Sequence, residues 1–227
     1  MHKKFQTNAQ INSIYSTIGI RLRTFCQFNE SVFLKTLPFP NKSGTIKQAE
    51  DLVKLFNYCF ANTENTILVG GAEEPIYEPA SDNCQYNRVV FTHDYFSSAL
   101  HEIAHWCIAG KERRSHVDYA YWYHPDGRDP SQQAKFEAAE VKPQAIEHAF
   151  SLAADIRFRV SIDNLQNEQT SSDTFERAVD NQLATLIQSG FNPRTQVFLN
   201  ALHDLYNTPA LTTFNSKQIN SDYGAQG

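Results

Sequence analysis

From Thr45 onward the chain alternates between a helical and an extended hydrophobic rhythm. Ile46, Ala49, Leu52, Val53, Leu55, Phe56 and Phe60 recur at helical spacing, with Thr45 placed to cap the start. Ile67 to Val69 is a short apolar run ended by Gly70-Gly71, which predicts a strand and a turn; Ile76-Tyr77, between Pro75 and Pro79, predicts a second extended piece. Asn87 to Thr92 is β-branched and aromatic and is the clearest strand. A helix follows at once, with Leu100, Ile103, Ala104, Cys107 and Ile108 on its inner side and Asp94 or Ser97 as cap. Gly110 stands where a helix-ending glycine belongs, with Lys111, Arg113 and Arg114 near the negative end of the dipole.

Beyond it, Tyr119-Ala120-Tyr121-Trp122-Tyr123 predicts an edge strand, and Asp129-Pro130 a capped helix start. Pro143 is expected to kink or restart that helix, because its ring removes a donor and clashes with the preceding turn. Further helices are predicted over about residues 175–189 and 194–206, separated by Gly190 and Pro193. The sum is an α+β fold, helices around a small mixed sheet. Residues 1–45, with no acidic side chain before Glu30, approach a transit peptide in composition but lack its arginines and its amphipathic face. They read as a poorly ordered extension, residues 46–212 as the folded domain, and residues 213–227 as a frayed tail.

Composition narrows the classes. The 227 residues are 41% hydrophobic, enough for one sizeable core, and carry a net charge of −5, which disfavours a nucleic-acid binder. Cys26, Cys59, Cys84 and Cys107 contain no C-x-x-C pair, so reduced, mostly buried thiols of a cytoplasmic protein are expected. No apolar stretch is long enough to span a membrane.

The chemistry lies in His101-Glu102-Ile103-Ala104-His105. On a helix, positions i and i+4 share a face, so both imidazoles reach one metal ion; the result is a zincin-like metal-site helix following a strand. A working site needs a third protein ligand. Ile108 and Lys111 occupy the places of Gly and His in the elongated motif, so a carboxylate from the next helix is expected. Glu137 and Glu140, one turn apart, qualify, and Glu140 is preferred because the Pro143 break would put it at an irregular turn. His124, in a polar loop, is a further alternative; His93 and His116 read as ordinary polar histidines. With zinc, two histidines and a carboxylate make a hydrolase whose Glu102 is general base. With iron(II) they form the triad of non-haem oxygenases. The pattern alone leaves both open.

Longer strings add to this. Glu73-Glu74-Pro75-Ile76-Tyr77, Tyr86-Asn87-Arg88-Val89-Val90-Phe91 and the run His101 to Lys111 resemble the bacterial elongation factor P hydroxylase family. So do Tyr121-Trp122-Tyr123, Pro125 to Asp129, Phe136-Glu137, Glu140 to Ala145, Asp163-Asn164-Leu165 and Tyr206 to Pro209, in order over about residues 46–212. The resemblance implies a metallopeptidase-like fold and an iron-dependent monooxygenase that uses dioxygen to hydroxylate the β-lysylated lysine of elongation factor P. It implies His101, His105 and Glu140 as iron ligands, with Glu137 the fallback and Glu102 beside the open face. Zinc peptidase chemistry is the alternative. Asp126, Asp129 and Glu137 with Tyr121, Trp122 and Tyr123 would suit a long cationic side chain. Arg88, Lys111, Arg113 and Arg114 could meet an acidic protein surface. No nicotinamide, flavin or 2-oxoglutarate signature is present.

Overall fold

The computed structural model describes residues 47–118, 129–161 and 172–212. In chain order the elements are α1 (Ala49–Phe60), β1 (Thr66–Ala72), β2 (Ile76–Glu78), β3 (Asn87–Thr92), α2 (Phe96–Ile108), a 3-10 turn (Arg113–Ser115), α3 (Pro130–Ala153), α4 (Ser172–Ser189) and α5 (Pro193–Tyr206). This is the expected α+β class. The sheet is mixed, in the order β1-β3-β2, with β1 parallel and β2 antiparallel to β3.

The central strand explains the layering. Val89, Val90 and Phe91 are buried in succession, as a strand covered on both faces requires. Leu68, Val89 and Phe91 join the main core with α1, α2, α3, α4 and α5. Ile67 points the other way and closes a small second cluster with Ala61, Cys84 and Tyr86. Arg88 and Glu78 are register partners across β3 and β2, and their ion pair of 2.8 Å is nearly buried. Arg88 is therefore part of the sheet and not of a surface that meets a partner.

Several local expectations give way to tertiary contacts. Gly70-Gly71 does not end β1; both glycines lie inside it, at a register shift between Val69 and Ala72. Gly71 takes φ +85°, and a Cβ at Gly70 would come within 2.6 Å of the Phe91 ring. The pair is there for a bulge and a close approach. The N-cap of α1 is Gln48, while Thr45 lies outside the described residues; neither Asp94 nor Ser97 caps α2, whose N-cap Tyr95 makes no side-chain cap bond. The Ser98 hydroxyl instead accepts from the Thr92 N–H and bonds the Thr92 hydroxyl, fastening the helix to the strand before it. The C-cap of α2 is an extended Ala109, and the left-handed glycine stands at Gly190, after α4. Cysteines 59, 84 and 107 are free thiols.

Asp129 and Gln132 form a reciprocal capping box with Pro130 in the first turn, as expected. Pro143 does not break α3, which runs unbroken for 24 residues. The carbonyl that Pro143 leaves without a donor belongs to Ala139, on the exposed side, where water can take the donor's place. The aromatic run 119–123 lies outside the described residues, although Asp118 pairs with Tyr77 on the free edge of β2.

Adding one carbon at Gly70 tests the close approach. Gly70→Ala is expected to lower stability by about 1–3 kcal/mol, the usual cost of overpacking, because Phe91 is fixed in the core. Urea unfolding should show a lower midpoint at unchanged slope.

Candidate metal centre

The site is built where α2 crosses α3. Helix α2 is apolar around most of its circumference, with Ala99, Leu100, Ile103, Ala104, Trp106 and Cys107 buried, which sets its rotation. That rotation points His101 and His105 at α3. Their rings lie 4.6 Å apart at 69°, and the two Nε2 atoms are 3.1 Å apart. From α3, Glu140 places Oε1 3.3 Å from His105 Nε2 and Oε2 3.7 Å from His101 Nε2. One ligand atom from each of the three lies within 4.8 Å of the others. Ligands bound to one ion at about 2.0–2.1 Å stand roughly 2.9–3.4 Å from one another, close to these spacings.

The hydrogen bonding of His101 bears on what the cluster can hold. Glu147, two turns after Glu140 on α3, accepts from His101 Nδ1 at 2.8 Å. A carboxylate on Nδ1 places the proton there and leaves Nε2 a lone pair directed into the cluster. Glu140 Oε2 is buried with no hydrogen-bond partner. Two imidazole nitrogens facing each other beside a buried carboxylate oxygen with no hydrogen-bond partner need a shared proton or a cation among them. The donor set fits a divalent metal ion.

The titrating groups respond to the same crowding. Burial disfavours a charged His101, but Glu147 outweighs it through charge and hydrogen bond, helped by Glu102 and Glu140, and pushes His101 up to about 10. Burial raises the Glu140 carboxyl, yet His105 and His101 more than compensate and hold it below the ordinary carboxylate range. Glu102 is raised by burial against the pull of the two histidines.

Glu140 is thus the carboxylate brought to both histidines, although it sits on a regular helical turn and not at the irregular one expected from Pro143. Glu137, one turn earlier, is half-buried and accepts from Gln133 at 3.0 Å. It is not among the three groups. His93 and His116 are exposed and away from the cluster. His124, Asp126, Tyr121, Trp122 and Tyr123 lie outside the described residues. Arg113 is paired with Asp118 and Arg114 with Glu64, so both are tied into the fold. Two contributors were missed. Glu147 was legible as the residue seven after Glu140, which returns to nearly the same helix face. Arg194 was not: from α5 it donates to the Cys107 and Ala109 carbonyls at 3.0 and 2.6 Å, and so caps the motif helix.

An α+β domain with a His-Glu-x-x-His helix after a strand and a carboxylate from the next long helix defines a class of metal-site enzymes that includes both hydrolases and oxygenases. Comparison with known proteins separates them. The family model for elongation factor P hydroxylase matches residues 55–216. The elongation factor P lysine hydroxylase of Haemophilus influenzae is 45% identical over 159 residues, which cover 70% of this chain and 89% of that protein. The chain belongs to the elongation factor P hydroxylase family and is an enzyme, a hydroxylase; the zinc peptidase alternative is disfavoured.

Two tests follow from the geometry. Isothermal titration with iron(II) or cobalt(II) should show binding abolished in Glu140→Ala, about 10–100-fold weaker in Glu147→Gln, and unchanged in Glu137→Gln. The raised His101 also sets a sign for pH. Its folded value of about 10 exceeds the ordinary 6.5, so its contribution to the metal-free protein is full below pH 6.5 and fades as pH rises through 10. Urea midpoints of the metal-free protein should fall across that window, while metal loading, which displaces the proton, should flatten the decline.

Proposed function

We propose that the enzyme hydroxylates the lysine of elongation factor P that carries β-lysine, in the cytoplasm, using iron(II) and dioxygen. The observation that carries this reading is the convergence of His101 Nε2, His105 Nε2 and Glu140 on one point, within a chain of the hydroxylase family. Two imidazoles and one carboxylate suit iron(II) and leave coordination positions free for small molecules. Iron bound there would supply activation of dioxygen, so that one oxygen atom enters a C–H bond and the other leaves as water, with two electrons from an external reductant and two protons from solvent.

The residues of the chain do the rest. Glu147 fixes the ring orientation and tautomer of His101. Helix α2 holds His101 and His105 one turn apart while core packing prevents it from rotating. Glu102 lies one residue beyond the His101 face, on the wall shared with a neighbouring cavity. Burial makes it retain a proton more readily than an ordinary glutamate, so it can hold or pass a proton beside the ligands without being a hydrolytic base.

The test uses full-length protein loaded anaerobically with iron(II), then exposed to dioxygen and a reductant with lysylated elongation factor P. Intact mass should rise by one oxygen on the modified lysine. His101→Ala and the zinc-loaded enzyme should leave the mass unchanged. A mass gain that survives His101→Ala, or cleavage of the factor without any gain, would defeat the reading.

A further inference from the structure

Gln144 is a buried amide on α3, 1% exposed, one turn after Glu140 and one turn before Glu147, so the three lie on one face of the helix. Its side chain is paired in both directions with a single residue of the segment that leaves the helix. Nε2 donates to the Ser161 carbonyl at 2.7 Å, and Oε1 accepts from the Ser161 N–H at 3.0 Å. This is the exchange that two antiparallel strands make, with a side chain in place of one strand. The segment before Ser161 runs back along α3. Ile156, Phe158 and Val160 pack on the core, Phe158 stacks on His148 at 4.4 Å and 16°, and Arg157 and Arg159 between them are exposed.

A primary amide has two N–H donors, and burying it is unfavourable unless both are met. The Ser161 carbonyl takes one. The other is left on the helix face that carries Glu140, where a glutamine and a carboxylate one turn apart are in hydrogen-bonding reach. The Glu140 carboxyl responds to that donor: burial raises it, and His105, His101 and the Gln144 side chain together hold it low. A position that had only to fill volume in this seam would be served better by Leu or Met, which bury no polar group.

We propose that Gln144 is a positioning residue of the metal centre: its amide orients the Glu140 carboxylate and fastens it to the Ser161 main chain, so that the acidic ligand is held by the segment after α3 as well as by α3 itself. The inference rests on the metal centre and not on the reaction the centre serves. A ligating carboxylate binds more tightly when a fixed donor already restricts its rotation, because less freedom is lost when the ion arrives.

Cobalt(II) loading of the full chain tests this, read by binding affinity and by the visible absorption bands, which report ligand geometry. Gln144→Met, of similar volume and without donors, should weaken cobalt(II) binding about 10-fold and shift the bands. Gln144→Asn, one methylene too short to span Ser161 and Glu140 together, is the variant read if Gln144→Met does not fold, with the same expectation. Ser161→Pro breaks part of the tie to the main chain and spares the donor to Glu140. It should lower the urea midpoint as the Gln144 variants do but weaken cobalt(II) binding less. Wild-type affinity and unchanged bands in the Gln144 variant overturn the proposal, and so does an equal loss of affinity in Ser161→Pro, which would make Gln144 an anchor for the segment alone. A wild-type chain that takes up no cobalt(II) would defeat the metal centre and this inference with it, whereas absent hydroxylation with cobalt(II) binding intact would defeat only the hydroxylation reading.

Discussion

The packing of α2 against α3 is the constraint on which the rest of the molecule depends. Both helices are held by apolar contacts that have no part in the chemistry: Leu100, Ile103 and Ala104 on one, Ala145, Ile146, Ala149 and Phe150 on the other, all essentially inaccessible. Alanines at 104, 145 and 149 let backbones approach closely, so a short glutamate can span the gap to the histidines. A helix advances about 100° per residue. A shift of α3 by one position would carry Glu140 off the seam and take Glu147 with it. Ligand geometry is therefore a property of core register, and the cluster is as rigid as the core behind it.

The same burial makes the cluster electrostatically expensive. Two imidazoles and the carboxylates of Glu140 and Glu147 share a space from which water is largely removed, and Glu102 stands close behind. Without a metal ion the strain is relieved by a proton, retained on His101 far above its usual range by Glu147. A divalent ion would do the same work with more charge and without the hydrogen bond. The other cations near this end of the fold are committed to structure. Arg88 closes the sheet with Glu78, Arg114 meets Glu64, and Arg194 stacks over Trp106 at 4.8 Å while capping α2. The basic cluster that the sequence suggests as a protein-docking face is in large part internal bracing.

What was legible in the sequence follows from the range of the interactions responsible. Strand β3 and the His-Glu-x-x-His helix are strong local patterns, and the Asp129-Pro130 start is a local hydrogen-bond device; all three appear as expected. The histidine pair needed only helix periodicity. The choice of Glu140 over Glu137 could not be settled by spacing, because both lie within one turn; what decides it is the rotation of α3, set by contacts with α2, α4 and α5. The misread points share one cause. Gly70, Pro143 and Gly110 carry strong local preferences, but the Phe91 ring, an exposed carbonyl at Ala139 and the reach of Arg194 from α5 decide their structural consequences. Phe91 and Arg194 lie far along the chain from the glycines they govern, and the exposure of the Ala139 carbonyl depends on how α3 packs.

The position of Glu102 explains why the motif does not fix the reaction. Helix geometry forces His101 and His105 onto one face whatever chemistry the enzyme performs. Glu102 is turned by about 100° from His101, and its role is set by what fills the space on that side. Here that space is a small cavity walled by Tyr77, Trp106, Asp118 and two arginines. A hydrolase needs this carboxylate to be charged and to face a water and a peptide carbonyl. A half-buried carboxyl whose affinity for protons is raised, on the wall of that cavity, is poorly suited to that and better suited to hold a proton. The two histidines and Glu140 are arranged to hold a metal ion; the surroundings of the glutamate between the histidines bear on what such an ion would do.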